Sequence, residues 1–214
     1  MIYREVWYRE AQALPTLSFR SLFHWGTMNP ADKGKSSLEG GGLSVTTHPE
    51  EWAQITPLGG CRWRLTKPGG RFLDARALSP QHSKGILQWG VKQGYVEPRE
   101  IYRVSYWDDE LEDTVMMDFE SKEEAEEEAD FMEAEVTVVS GGGFVPTTKL
   151  ESRTGVSSSI AEAFDHLLTV YVEANTDFDG VWWEDEVDPL KYSSPRGVIS
   201  RKKLPEWKAV VVRE

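Results

Sequence analysis

Apolar and polar positions alternate in several short stretches of the chain, which is the pattern of half-buried β-strands. The alternation is clearest at residues 61–66, where Cys61, Trp63 and Leu65 share one face. Pro68-Gly69-Gly70 is then expected to turn the chain into a second short strand at residues 71–74. Further strands are predicted at residues 2–8, 17–25, 43–46, 102–107, 114–119, 136–139, 178–183 and 208–212, with one more at the end of 193–199.

Other stretches have the 3.6-residue period of amphipathic helices. The most regular helix begins at Ser159, which forms a capping box with Glu162, and its apolar face should pack in the core. His166 lies between two apolar positions of this helix and is given no functional role. Helices are also predicted at 49–55, 79–93 and 121–132, with a helical turn at 204–207. The glycine-rich stretch 141–159 is expected to be a loop that could act as a hinge or lid.

Length and composition are those of one large globular domain. The chain has 214 residues, 39% of them apolar, and its nine Trp, eight Phe and seven Tyr can fill a core. The single cysteine, Cys61, excludes an internal disulfide, and no apolar run is long enough to span a membrane. We therefore expect a cytoplasmic protein, although a secreted effector with another export signal would look the same. The His residues and Cys61 lack the spacing of metal ligands.

Most of the net charge of −12 comes from one segment. Fifteen of the 36 acidic residues and one of the 24 Lys and Arg residues fall between Asp108 and Glu135, which leaves the rest of the chain close to neutral. Phosphate would be repelled by this segment, so it does not bind nucleic acid nonspecifically. Its helix has few apolar residues and should be exposed. Two interpretations stay open: a solvated face, or a surface that docks a basic partner.

A candidate binding slot lies between residues 23 and 46. One predicted strand ends in His24-Trp25-Gly26-Thr27, and the next is entered through three glycines, at Gly40-Gly41-Gly42. Glycine lets a backbone approach a ligand closely, and Trp25 could cover the face of a flat polar ring. The alternative is a hairpin with a long loop, whose aromatic side chains lie in the core.

The order of these pieces resembles the ADP-ribosyltransferase superfamily. The similar pieces are His24-Trp25-Gly26-Thr27, the Gly-Leu-Ser-Val-Thr strand at 42–46, the helix carrying Trp52 and the strand ending in Leu73-Asp74. Asp179-Gly180-Val181, the acidic loop after it and the Val198-Ile199 strand look like the closing half of bacterial toxin-like and phage-associated members. The resemblance implies an α+β fold of split antiparallel sheets with flanking helices. Residues 1–214 would form one such domain, with 100–140 as an acidic α/β insertion.

The resemblance also implies which residues bind NAD. In the family, a His just before Gly-Ser or Gly-Thr bonds a ribose, and the glycine backbone holds the nicotinamide amide. Here these would be His24 and Gly26, followed by Thr27. Because Trp25 stands between them, either a bulge restores the geometry or Trp25 takes the ring position and His24 points elsewhere. Ser44 and Thr46 occupy the place of the family's second-strand hydroxyls, with Trp52 as a stacking partner.

The family's third element is a Glu that steadies the cation left when nicotinamide departs. The strand that should begin with it reads Arg196-Gly197-Val198, so the carboxylate is expected from Glu184, Glu186 or Asp188. A carboxylate there suits the chemistry, since breaking an N-glycosidic bond develops positive charge on the ribose. The alternative is a solvated polar loop. Arg196, with Arg62 or Arg64, could bind the pyrophosphate.

Together these features predict a NAD-dependent mono-ADP-ribosyltransferase that acts on a protein or nucleic acid, as a toxin or in conflict between phage and host. NAD glycohydrolysis, or transfer of an RNA phosphate to NAD, is a near relative of this activity. A second hypothesis is a degenerate transferase fold that binds a basic partner through residues 108–135 or mimics nucleic acid. The third is an unrelated α+β binding protein.

Overall fold

The computed structural model describes residues 13–28, 42–50, 61–109, 113–139, 143–184 and 196–212. Four predictions from the sequence fall outside these residues: the strand at 2–8, most of the helix at 49–55 with Trp52, and the acidic residues Glu186 and Asp188. In the described part, strands and helices are mixed and nearly all strand pairs are antiparallel. This confirms the predicted α+β class. No helix of the described part is long and apolar enough to cross a membrane.

Eleven strands and four α-helices make up the described part. The strands are β1 (Thr16–Gly26), β2 (Leu43–Val45), β3 (Cys61–Asp74), β4 (Val96–Arg99), β5 (Tyr102–Asp108), β6 (Asp113–Phe119), β7 (Glu135–Val138), β8 (Gly143–Pro146), β9 (Gly180–Glu184), β10 (Arg196–Ile199) and β11 (Lys208–Val211). The helices are α1 (Pro80–Gln93), α2 (Lys122–Phe131), α3 (Thr148–Thr154) and α4 (Ile160–Asn175).

The main sheet has the strand order β1-β3-β9-β10-β2, with β11 on β3. Only the β3–β9 pair is parallel. The two ends of this order meet, because Phe23 of β1 and Thr46 after β2 exchange both backbone hydrogen bonds, each 2.9 Å long. The sheet therefore curls until its first and last strands touch along one seam.

The two faces of this sheet bury separate cores, as the two-residue period of strands requires. Leu73, Val181 and Val198 face α1 and α4. Their sequence neighbours Phe72, Trp182 and Ile199 point the other way, into the space that the curled sheet encloses. Gly180 allows β9 and β10 to approach, since a Cβ there would lie 1.6 Å from the Val198 carbonyl oxygen.

Helix caps explain where the helices that back the sheet begin. The capping box of Ser159 and Glu162 is present at the start of α4, as predicted. Ser79 caps α1 in the same way with His82, and Gly94 ends that helix in the left-handed conformation. Both helices contribute to the core against β3, β9 and β10.

The acidic segment forms its own small unit. β6, β5 and β7 make a three-stranded antiparallel sheet in that order. Helix α2 covers one face of it by packing Ala125 and Ala129 on Val104. The predicted hairpin and its exposed Glu-rich helix are therefore confirmed.

Two predictions about local structure were wrong. Pro68-Gly69-Gly70 does not end a strand, because β3 continues from residue 61 to 74 and absorbs the extra residues in a bulge opposite Phe19 to Ser21. The stretch 141–159 is not a loop throughout. It contains β8, which pairs with β4, and the short helix α3, which packs on α4.

One buried carboxylate joins three parts of the chain. Asp179, 2% exposed, accepts hydrogen bonds from the Lys67 ammonium at 2.6 Å, the Arg71 backbone N–H at 2.8 Å and the Trp207 indole at 3.0 Å. Lys67 also binds Glu206 at 2.6 Å. Burial lowers the pKa of Lys67, but its bonds to the two carboxylates outweigh burial and the pKa is raised. The β3 bulge, the start of β9 and the turn before β11 are thereby fixed together.

Replacing Asp179 with Asn should destabilise the fold strongly. The change removes the buried negative charge that the Lys67 ammonium, the Arg71 N–H and the Trp207 indole share, and removing one charge of a buried pair costs about 3–5 kcal/mol. Asp177→Asn is the matched control, because the Arg71–Asp177 pair is exposed, and it should cost less than about 1 kcal/mol. Urea unfolding of both variants measures the difference. Equal losses would show that the Asp179 network does not hold the sheet.

Candidate functional site

Four strand ends meet beside the seam of the main sheet. Phe23 pairs with Thr46, and Val45 pairs with Gly197, so Thr46 and Arg196 are next to each other in register. Arg196 in turn lies opposite Glu184 on β9. The ends of β1 and β9 and the start of β10 thus adjoin the residues that follow β2. Residues that are 12 to 173 positions apart in the sequence are thus brought to one place.

His24 lies at the end of β1 and is 5% exposed. Its Nδ1 is 2.8 Å from the Ser44 carbonyl oxygen, and its Nε2 is 2.8 Å from the Thr27 carbonyl oxygen. Carbonyl oxygens only accept, so a neutral imidazole satisfies one of them and a protonated imidazole satisfies both. The ring therefore holds the backbones of β1 and β2 together and shapes the seam.

Gly26 and Thr27 form a backbone corner after β1. Gly26 has φ of 105°, a conformation that L-residues with a side chain rarely adopt. The Trp63 indole donates to the Gly26 carbonyl at 2.9 Å, next to the bond between His24 and Thr27. Two side chains from inside the curled sheet thus fix this corner, while Thr27 itself is exposed.

Trp25 points to the opposite side of β1, together with Phe23. Its indole donates to the Pro49 carbonyl at 3.2 Å. The Arg62 guanidinium lies 5.7 Å from the Trp25 ring and 6.0 Å from the Phe23 ring, and it is paired with Glu50. Arg62 thus brings a positive charge to this aromatic surface. Arg64, the other arginine proposed from the sequence, donates to the Ser21 hydroxyl at 3.1 Å.

The hydroxyl residues of the second strand are buried. Thr46 is fully buried, and its hydroxyl accepts from the His48 backbone N–H at 3.0 Å. Ser44 is 7% exposed and offers its carbonyl to His24. These residues form the β2 side of the seam between β1 and β2.

A polar cluster that the sequence reasoning missed lies on the helix side of the same strand ends. Asp165 of α4 sits near the Arg196 guanidinium and the Trp183 indole. Burial raises the pKa of Asp165, while the nearby Arg196 charge opposes that rise. Only one indication of this cluster was present in the sequence, which is that Asp165 is an acidic residue next to the apolar positions of α4. Such residues are usually solvated, so the signal did not distinguish Asp165 from an ordinary surface carboxylate.

The predicted carboxylates are placed only in part. The backbone of Glu184 ends β9 opposite Arg196, whereas its side chain, Trp52, Glu186 and Asp188 lie outside the described residues. In the part of the chain that is described, no three His, Cys, Asp or Glu side chains are close enough to hold a metal ion.

Comparisons with family models, with curated proteins and with solved structures give no match to this chain.

The raised pKa of Asp165 predicts a pH-dependent term in stability. The unfolded state loses this proton near pH 3.8, whereas the folded state keeps it to a higher pH. The contribution of Asp165 to the free energy of unfolding is therefore greatest below about pH 4, and it is lost as the pH rises through the pKa of the folded state. The free energy of unfolding of the wild type and of Asp165→Asn is measured in urea across this pH range. The wild-type value minus the variant value should fall as the pH rises and then become constant. A difference that stays constant with pH would contradict the burial of Asp165.

Proposed function

We propose that the chain is a NAD-dependent mono-ADP-ribosyltransferase that cleaves the nicotinamide–ribose bond and transfers ADP-ribose to a protein or nucleic acid. The main support is the strand register beside the seam. It gathers residues 24–27, 44–46, 184 and 196, to which the resemblance to that superfamily gives roles in NAD binding or catalysis. The split-sheet architecture of the superfamily is part of the same proposal, with the curled sheet around the seam as its core.

The nicotinamide ring is proposed to bind at the corner after β1. Gly26 has no Cβ, so that a flat amide can approach its backbone, and its positive φ disfavours any residue with a side chain at this position. Trp25 offers an aromatic surface next to the corner, and Arg62 beside it supplies positive charge for the pyrophosphate. Trp52, which lies outside the described residues, remains the second stacking partner proposed from the sequence.

His24 is assigned a positioning role in this site. Both of its ring nitrogens already face carbonyl oxygens, at 2.8 Å each, so its contribution is to hold Thr27 and Ser44 in place. Preorganised backbone is what a binding site for a flat, uncharged amide needs, because rigid donors and acceptors lose little entropy on binding. Ser44 and Thr46 support the same corner from β2.

The catalytic carboxylate is assigned to Glu184 or Glu186. Glu184 ends β9 in register with Arg196, and Glu186 follows two residues later. As the N-glycosidic bond breaks, its electron pair leaves with the nicotinamide nitrogen and the ribose carbon becomes cationic. A fixed carboxylate stabilises that cation until an acceptor atom attacks the carbon and releases its proton. Arg196, whose charge acts on the nearby Asp165, is proposed to bind a phosphate oxygen of NAD.

Incubation of the purified chain with NAD should release nicotinamide. Glu184→Gln or Glu186→Gln should reduce the rate by about 100-fold or more, the usual effect of removing a group that stabilises the transition-state charge. His24→Ala should weaken NAD binding through the loosened corner. Glu97→Gln, an exposed carboxylate on β4, is the matched control and should turn over at the wild-type rate.

Chromatographic measurement of nicotinamide, with NAD binding measured by calorimetry, separates the outcomes. Loss of release in one Gln variant identifies the carboxylate. If the wild-type chain neither binds NAD nor releases nicotinamide, the proposal is wrong.

A further inference from the structure

Strand β7 is an edge strand of the acidic unit. It pairs with β5 on one side, over Glu135 to Val138, and no described strand pairs with its other side. In an antiparallel strand, half of the backbone N–H and C=O groups point to each side. β7 therefore offers a short row of backbone donors and acceptors to an incoming strand.

A groove runs between this edge and helix α2. Its volume is about 410 Å³, and its floor includes Tyr102, Val136 and Val138. Val138 is 54% exposed although it is a β-branched apolar residue on a strand. The floor thus leaves apolar surface uncovered next to unpaired backbone.

Acidic side chains form the wall of the groove. Glu126 and Asp130 project from α2, and Glu135 begins β7. The one basic residue of the groove, Lys122, is paired with Glu126 at 2.7 Å. The surrounding segment contains fifteen acidic residues and this single Lys. An occupant with positive charge is favoured here, and the phosphates of nucleic acid are repelled.

We propose that the β7 edge and this groove dock a basic, extended peptide segment of a partner protein. The segment adds a fourth strand beside β7, so that backbone hydrogen bonds hold it in register. Alternate Lys or Arg side chains lay their aliphatic stems over Val136 and Val138 and reach Glu126 and Asp130 with their charged ends. This surface is separate from the seam of the main sheet and does not depend on NAD chemistry.

A fluorescein-labelled ten-residue peptide of alternating Lys and Thr is the probe. Fluorescence anisotropy should show binding that weakens as salt is raised, because exposed charge pairs are screened. The same peptide with Pro at a central position should bind at least about tenfold more weakly, since proline removes a backbone donor and disrupts strand pairing. An alternating Glu and Thr peptide should not bind.

Two double variants test where the peptide binds. Glu126→Lys with Asp130→Lys should weaken binding by roughly tenfold, which corresponds to the loss of two exposed charge pairs. Glu124→Lys with Glu127→Lys makes the same charge change on α2 outside the groove and should keep most of the affinity. Circular dichroism checks that both variants fold.

Any one of three results would overturn the docking proposal. The first is that the Lys and Thr peptide does not bind. The second is that the proline-containing peptide binds equally well, and the third is that the two double variants weaken binding equally. The last two results would mean that attraction to the acidic segment is only long-range and unstructured. The proline comparison uses the unmodified protein, so a folding defect in a variant cannot obscure it.

Discussion

The buried carboxylate of Asp179 is the constraint on which the main sheet depends. It binds Lys67 and Arg71 at the β3 bulge and Trp207 before β11, while its own backbone leads directly into β9. Because the β3–β9 pair is parallel, no tight turn can align these strands. The Asp179 bonds provide that alignment, and the positions of β10 and β2 follow from β9.

The seam between β1 and β2 follows from this alignment, and it is the place where we propose that NAD binds. When β2 is placed beside β10, Thr46 reaches Phe23 and the strand order closes on itself. His24 and Trp63 then bind carbonyl oxygens from inside and fix a corner that contains a positive-φ glycine. The side chains of the seam mostly hold backbone in place, which is what a site that recognises its ligand through main-chain atoms requires.

The sequence predicted what depends on local patterns and missed what depends on distant contacts. Helix α4 and the β5–β6 hairpin follow from a capping box and from alternation, and both are present. The bulge in β3 was mistaken for a turn, because Pro68-Gly69-Gly70 is compatible with either. Only the pairing of β3 with β1 on both sides of these residues selects the bulge. Asp165 was missed for a similar reason: the packing of α4 on the sheet brings it near Trp183 and Arg196, and the helix pattern alone does not show this. The strand ends that carry His24 and Thr46 were predicted from local patterns, whereas the pairing of Phe23 with Thr46 across the seam was not.

Hydrogen exchange with and without NAD tests most directly whether the seam is the ligand site. Exchange followed by mass spectrometry reports backbone amides in fragments covering residues 22–28 and 43–48, and the acidic unit of β5, β6, β7 and α2 serves as an internal reference. The account predicts slower exchange in the two seam fragments when NAD is present and no change in the acidic unit. Unchanged exchange at the seam, or protection confined to another region, would contradict it.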